Sequence, residues 1–205
     1  MKISLKTEIF KAAQHCCANK DVRYYLNGAC LRIADGERGQ VYATNGHVLF
    51  AASFDIDASE DISDCKGTFD IIIPIDAVKH AAKSKNKLVT LNSMTNGQYM
   101  LNGLAFTAID GKFPDVARVI PAKSAFTGDI TPGQFNPELL VRCHKALKAW
   151  FNSCPQVFAT YHQDPNTCAI MQGPDNSAIC VIMPVRVDMN DTPHNFTVLS
   201  DAPAE

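Results

Sequence analysis

"VRYYLNGACLRIADGERGQVYATNGHVLFAASF", residues 22–54, carries turn signals at Asn27-Gly28, at "DGERG" (35–39) and at Asn45-Gly46. Asn-Gly is favoured in two-residue hairpin loops because both loop positions need positive φ. "VRYYLN", "ACLRIA", "QVYAT" and "NGHVLFAASF" therefore read as strand-forming pieces joined by tight turns. Strands joined so tightly make antiparallel sheet.

The flanking sequence repeats this arrangement behind a helix each time. Residues 6–18, "KTEIFKAAQHCCA", read as a helix with Thr7 as N-cap and Ile9, Phe10, Ala13, Cys16 and Cys17 as its apolar stripe. "FDIIIP" (69–74) is a buried-strand run, and "IDAVKHAAKS" (75–84) is a second helix. "KLVTLN", "QYMLN" and "LAFTAI" follow as strands around Asn96-Gly97 and Asn102-Gly103. A third copy opens with "NPELLVRCHKALKAWF" (136–151), where Asn136 caps and Pro137 takes the first helical position. Its stripe is Leu139, Leu140, Cys143, Leu147 and Trp150, and "QVFATYH", "CAIMQG" and "AICVIMPVRV" are its strands. One helix followed by about three strands thus recurs three times, at intervals of about 60 to 70 residues. The fold class is α+β, with helices packed on one face of antiparallel sheet. "VIPAKSAFTGDITPGQ" (119–134) is the linker candidate, and the polar stretch after Val187 reads as a flexible tail.

Composition narrows the function classes. Hydrophobic residues make up 46% of the 205 and charged residues 20%, enough for a packed core. A formal charge of -2 argues against a uniformly basic nucleic-acid surface, though not against a local basic face. "MKISLKTEIF" lacks the apolar core of a signal peptide, and no apolar run reaches the roughly 18 residues of a membrane span. A cytoplasmic protein without a membrane partner is expected. The eight cysteines include no CxxC and read as small buried thiols, so no metal and no other cofactor is expected. The six histidines form no HExxH, and GxSxG, Walker and GxGxxG motifs are missing, so an enzyme is not expected.

Four stretches carry a resemblance: "DVRYYLNG" (21–28), "VYATNGHVLF" (41–50), "DGKFPDVARVIP" (110–121) and "VIMPVRV" (181–187). In this order they resemble the bacterial sliding clamp, the DNA polymerase III beta subunit, over most of residues 5–187. The resemblance implies a DNA-clamp-like fold of three units, about one and a half clamp domains. Residues 1–123 resemble the family's middle domain, and 124–187 resemble the end of its C-terminal domain. The family's first domain has no counterpart, and 188–205 form the tail.

The family implies functional residues as well. A partner-peptide pocket would use Leu26, Thr44, Gly46, His47 and Leu49; Pro114, Arg118 and Val119; and Asn136, Val181, Met183, Pro184, Val185 and Arg186. Lys20, Arg23, Tyr24 and Tyr25 would face DNA. Read by themselves, the same residues also fit core and hairpin positions of any sheet domain, with Asp21–Arg23 as a surface pair. Departures from the family are Val48 in place of Arg, Asn45 in place of a carboxylate, and Leu139 where an aromatic is common. Arg142 could restore some polarity there. The implied function is a replication accessory protein that binds clamp-binding motifs of DNA polymerase and related partners. It would tether them to double-stranded DNA as an oligomeric ring, for which a homotrimer is natural. The alternative is a monomeric mimic that competes for clamp-binding peptides without encircling DNA. "NFTVL" (195–199) could fold back over the pocket, in which case deleting 188–205 would tighten peptide binding.

Overall fold

The computed structural model describes residues 1–34, 38–57, 68–120, 134–152, 159–161 and 166–185. The first unit is β1 (Lys2–Lys6), α1 (Thr7–Ala13), β2 (Gly28–Ala34), β3 (Arg38–Thr44) and β4 (Val48–Asp55). The second is β5 (Thr68–Pro74), α2 (Ile75–Ala82), β6 (Leu88–Ser93), β7 (Gln98–Leu101) and β8 (Leu104–Thr107). The third is α3 (Pro137–Phe151), β9 (Ala159–Tyr161), β10 (Ala169–Gln172) and β11 (Ala178–Ile182). The three repeats expected from the turn spacing are therefore present as α+β units.

The first two units exchange their opening strands. β1 joins the second unit in a sheet of order β1-β6-β7-β8, while β5 joins the first in β5-β2-β3-β4. The third unit then extends that second sheet to seven strands, because β11 pairs antiparallel with β4 from Val48↔Ile182 to Ala52↔Ala178. Alternation along the strands separates two cores. Ala29, Leu31, Ile33, Val41, Ala43, Phe50, Ile71 and Ile73 face the helices. Cys30, Tyr42, Leu49, Ala51, Ile72 and Val181 face the other way, where Phe113 and Val116 of the segment after β8 cover them.

Several local expectations are corrected. Lys2–Lys6 is a strand with the alternating burial of Ile3 and Leu5, so the N-terminal stretch is sheet before it is helix. Thr7 is not the cap of α1: its hydroxyl donates to the Asn86 carbonyl oxygen at 2.6 Å, across to the loop before β6. The helix ends at Ala13, before the expected 18. "VRYYLN" is no strand either. Tyr24–Leu26 form a 3-10 turn, and Asn27 builds no hairpin loop. The Asn27 carboxamide accepts from the Asp21 backbone N–H and donates to the Asp21 carbonyl, both at 2.8 Å. Local side-chain hydrogen bonding of this kind competes with a sheet ladder and wins here.

At α3 the sequence reading holds. Asn136 Oδ1 accepts from the Glu138 N–H at 2.9 Å with Pro137 following, and Cys143, Ala146 and Leu147 are buried. Arg142 is turned to the first unit rather than standing in for a polar pocket residue. Its guanidinium donates to the carbonyls of His15 and Cys17, at 2.7 and 3.0 Å, and so ties the third unit to the chain just after α1. Charge-assisted bonds of this kind contribute a net of about 1.5–3 kcal/mol each when buried, and less where water reaches them. Arg142→Ala is expected to destabilise the chain by about 2 kcal/mol in urea unfolding, and Arg142→Lys by less. An unchanged midpoint would show that water replaces the guanidinium at no cost.

Cys16, Cys17, Cys30, Cys143 and Cys180 are buried free thiols, and Cys168 is partly so. Burial, followed by the Asp70 charge, pushes Cys30 up to about 12, and burial raises Cys17 and Cys180 as well. Unfolded thiols ionise near 8.5, so above that pH the unfolded chain binds fewer protons than the folded one. Folding stability should therefore fall from about pH 9 towards the folded-state values. Thermal melts under reductant at pH 8, 9 and 10 should show this decline; a flat series would mean that the thiols are solvated.

Candidate peptide-binding pocket at the junction of the first and third units

A cavity of about 210 Å³ lies on the outer face of the seven-stranded sheet, over the seam between β4 and β11. The seam itself supplies Val48 and Leu49 from one side and Val181 from the other, with Leu49 directly opposite Val181. Leu26, at the end of the 3-10 turn, closes one end. Phe113, Pro114, Val116 and Val119 form the opposite wall, and Met183 stands at the mouth with 39% of its surface exposed. The wall is held in place by Phe113, which stacks on Tyr42 with ring centroids 6.4 Å apart.

The turn between β3 and β4 shapes the rim. Asn45 Oδ1 accepts from the backbone N–H of both His47 and Val48, at 3.0 Å each. An Asp carboxylate could accept the same two bonds, which explains why an amide serves at this position. Thr44 Oγ1 accepts from the Gly46 N–H at 3.0 Å and donates to the Val48 carbonyl at 2.7 Å. Gly46 has φ +89°, and a Cβ there would come within 2.7 Å of the Arg23 guanidinium nitrogens. Any side chain at 46 would thus strain the backbone and evict Arg23. Arg23 itself donates to both carboxylate oxygens of Asp21 and to the Asn45 carbonyl. Those bonds hold the Asp21 carboxyl down to about 2. The third unit is tied to the same turn by the Met183 N–H, which donates to the His47 carbonyl at 3.0 Å.

Of the residues expected in a pocket, the structure brings together Leu26, Thr44, Gly46, His47, Leu49, Pro114, Val119, Val181 and Met183. It does not bring Arg118, Asn136, Pro184 or Val185 into the lining. Arg118 is 85% exposed and pairs with Asp115 at 3.1 Å. Asn136 is occupied in capping α3. Arg186 and the stretch 195–199 lie outside the described residues. Val48, Phe113 and Val116 also line the cavity without having been singled out as pocket residues. Their apolar types next to a Gly turn and a Pro were the available signal.

The residues expected to face DNA separate. Arg23 and Tyr25 line the cavity, Tyr25 being half-buried. Tyr24 is 58% exposed and meets Tyr25 edge-on at 5.7 Å. Lys20 is exposed, in a left-handed conformation with φ 61°. A second set of cations was missed. Lys11 on α1, Lys79 on α2 with Lys83 at its end, and Lys145 and Lys148 on α3 stand on the three helices; Lys83, Lys145 and Lys148 are exposed, Lys11 and Lys79 are half-buried, and Glu8, Asp76 and Glu138 occupy the first turns. Reading each helix for its polar face as well as its apolar stripe would have found them. Among the described residues no group of three His, Cys, Asp or Glu side chains is placed to hold a metal ion, and no helix is long and apolar enough to cross a membrane.

Three repeated units, sheets shared between neighbouring units and helices on one side can be compared with known architectures. The P. aeruginosa DNA polymerase III subunit beta superposes with TM-score 0.67 at 18% identity, covering 91% of this chain and 66% of that one. A Bartonella birtlesii DnaN sliding clamp bound to griselimycin gives the same TM-score at 19% identity. The fold is that of a bacterial sliding clamp. In sequence, the beta sliding clamp of Vibrio cholerae is 31% identical over 125 residues, and that of Escherichia coli K12 is 32% identical over 119. These matches take in 58% and 55% of this chain, but only 32% and 31% of the relatives. No family model matches. The clamp-like chain thus corresponds in sequence to about a third of its curated relatives.

Proposed function

We propose that the clamp-like chain is a replication accessory module that captures short apolar linear motifs, of the kind that clamp-binding polymerases carry, in the cavity over the β4–β11 seam. The observation that carries this reading is the cavity's composition from two units. Aliphatic residues of β4 and β11 make the floor, Met183 makes an adaptable lip, and Arg23 gives the rim a cation. In this reading residues 1–123 act as one clamp-like domain and 124–187 as a half domain docked on it. Capture needs only one copy of the chain, so the module can compete for partners without encircling DNA.

The test is fluorescence polarisation with a labelled peptide carrying adjacent Leu and Phe anchors. Saturable binding that disappears when both anchors become Ala is the expected result; binding indifferent to the anchors, or none, rules the reading out. DNA contact is a second reading, favoured by the lysines that α1, α2 and α3 carry, of which Lys83, Lys145 and Lys148 are exposed. It requires duplex binding that weakens steeply with salt. A closed oligomer in solution would extend it to tethering.

A further inference from the structure

The repeat produces three closing strands, one per unit: β4, β8 and β11. Two of them satisfy each other, since β4 and β11 pair antiparallel over five residues. β8 is the third. It has β7 on one side and no second neighbour among the described residues. Its residues are Leu104, Ala105, Phe106 and Thr107, with no charge, proline or bulge of the kind that blunts a free edge.

The geometry of that edge is specific. Asn102 and Gly103 both have positive φ, at 49° and 83°, as a two-residue hairpin loop requires. Such a loop closes on a hydrogen-bonded pair, here Leu101↔Leu104, and bonded pairs alternate along the ladder. Tyr99↔Phe106 is then bonded too, so Ala105 and Thr107 direct their N–H and C=O groups away from β7. Leu104 and Phe106 pack inward against the helical core, and Phe106 stacks on Tyr99 at 5.6 Å. Ala105 and Thr107 are exposed on the opposite face.

We infer that this edge pairs with the same edge of a second copy of the chain. Antiparallel pairing about a two-fold axis through Phe106 sets Ala105 opposite Thr107 of the second copy, and Thr107 opposite its Ala105. All four outward groups of each strand are then satisfied. The two Phe106 side chains meet in the close, non-bonded position, with Cα atoms about 4.5 Å apart. Small side chains, Ala105 and Thr107, meet on the outer face. Each copy contributes four strands to the joined sheet, and the helices of both lie on one side. The contact is isologous and closes as a dimer. It repeats between copies the way β4 and β11 already join within one.

Sedimentation equilibrium on the full chain tests this. The expected mass is twice 22.4 kDa. Ala105→Pro removes an outward N–H without touching the β7 ladder, a position where sheets tolerate proline. It should weaken dimerisation about tenfold or more, because the bond is lost twice by symmetry. Peptide capture by the distant cavity should be unchanged, which separates this inference from the proposed function. As a second measure, the double variant Ala105→Cys, Thr107→Cys should cross-link into a covalent dimer under oxidised glutathione. The bonded pair spacing of about 5.5 Å suits a disulfide, and the native chain should not cross-link. A monomer throughout, or a dimer that neither feels the proline nor cross-links, overturns the inference.

Discussion

Met183→Asp is expected to weaken capture of a Leu/Phe-anchored peptide by about thirtyfold or more while leaving the fold intact. Met183 stands at the cavity mouth, more than a third exposed, and its side chain is not part of the buried core. Substituting it should change stability by no more than about 0.5 kcal/mol, a shift of roughly 1–2 °C in melting temperature for a chain this long. A bound peptide alters the balance. The new carboxylate would then lie against apolar anchors, and Arg23, which lines the cavity, is already engaged by Asp21 at 2.8 Å. Desolvating an unpaired polar group there costs roughly 2 kcal/mol or more, which is the thirtyfold. Met183→Leu keeps the apolar lip and should stay within about threefold. Fluorescence polarisation and a thermal melt on the same preparations decide it: an unchanged affinity in Met183→Asp would place the peptide elsewhere.

The cavity's residues were legible in the sequence where they sit in turns and strands whose chemistry is local. Thr44, Gly46 and His47 belong to an Asn-Gly turn. Leu49 and Val181 are strand residues that the four matched stretches marked together. What brings Leu49 and Val181 face to face is a pairing between strands about 130 residues apart, and no local pattern encodes that register. Asn136 and Arg142 lie outside the cavity lining for the opposite reason. Each was read for its nearness to the matched residues, but Asn136 caps the start of α3 and Arg142 satisfies the His15 and Cys17 carbonyls in the turn after α1, demands that the backbone makes before any ligand does. "VRYYLN" shows the same competition in the fold. Its composition favours a strand, and the two Asn27–Asp21 hydrogen bonds turn it into a compact loop that delivers Leu26 and Arg23 to the cavity. The exchange of β1 and β5 between sheets was likewise beyond periodicity, since alternation fixes which face a strand buries but not which neighbour it takes.

Phe50→Ala is expected to destabilise the chain by about 3–5 kcal/mol, the range for deleting a fully buried aromatic ring. Phe50 is completely buried on β4, opposite Cys180 of β11, and its ring lies 6.0 Å from that of Trp150 on α3. It therefore packs under the same seam whose other face makes the cavity floor through Leu49 and Val181. Domains of ordinary stability have about 5–15 kcal/mol to lose, so the loss should appear first where Phe50 is the joint. Hydrogen exchange in α3, β10 and β11 should accelerate before that in β2, β3 and β5. Peptide affinity should fall in step, because Val181 in the cavity floor and Met183 at its mouth belong to the loosened unit, whereas Met183→Asp separates affinity from stability. Phe50→Leu, which keeps most of the volume, should cost less than about 1.5 kcal/mol. A double-mutant cycle with Trp150→Ala should return a coupling of about 0.5–1.5 kcal/mol for the ring pair. Uniform acceleration of exchange across all three units would mean that the chain unfolds as one cooperative block. The β4–β11 seam would then be no weaker than the pairings within each unit.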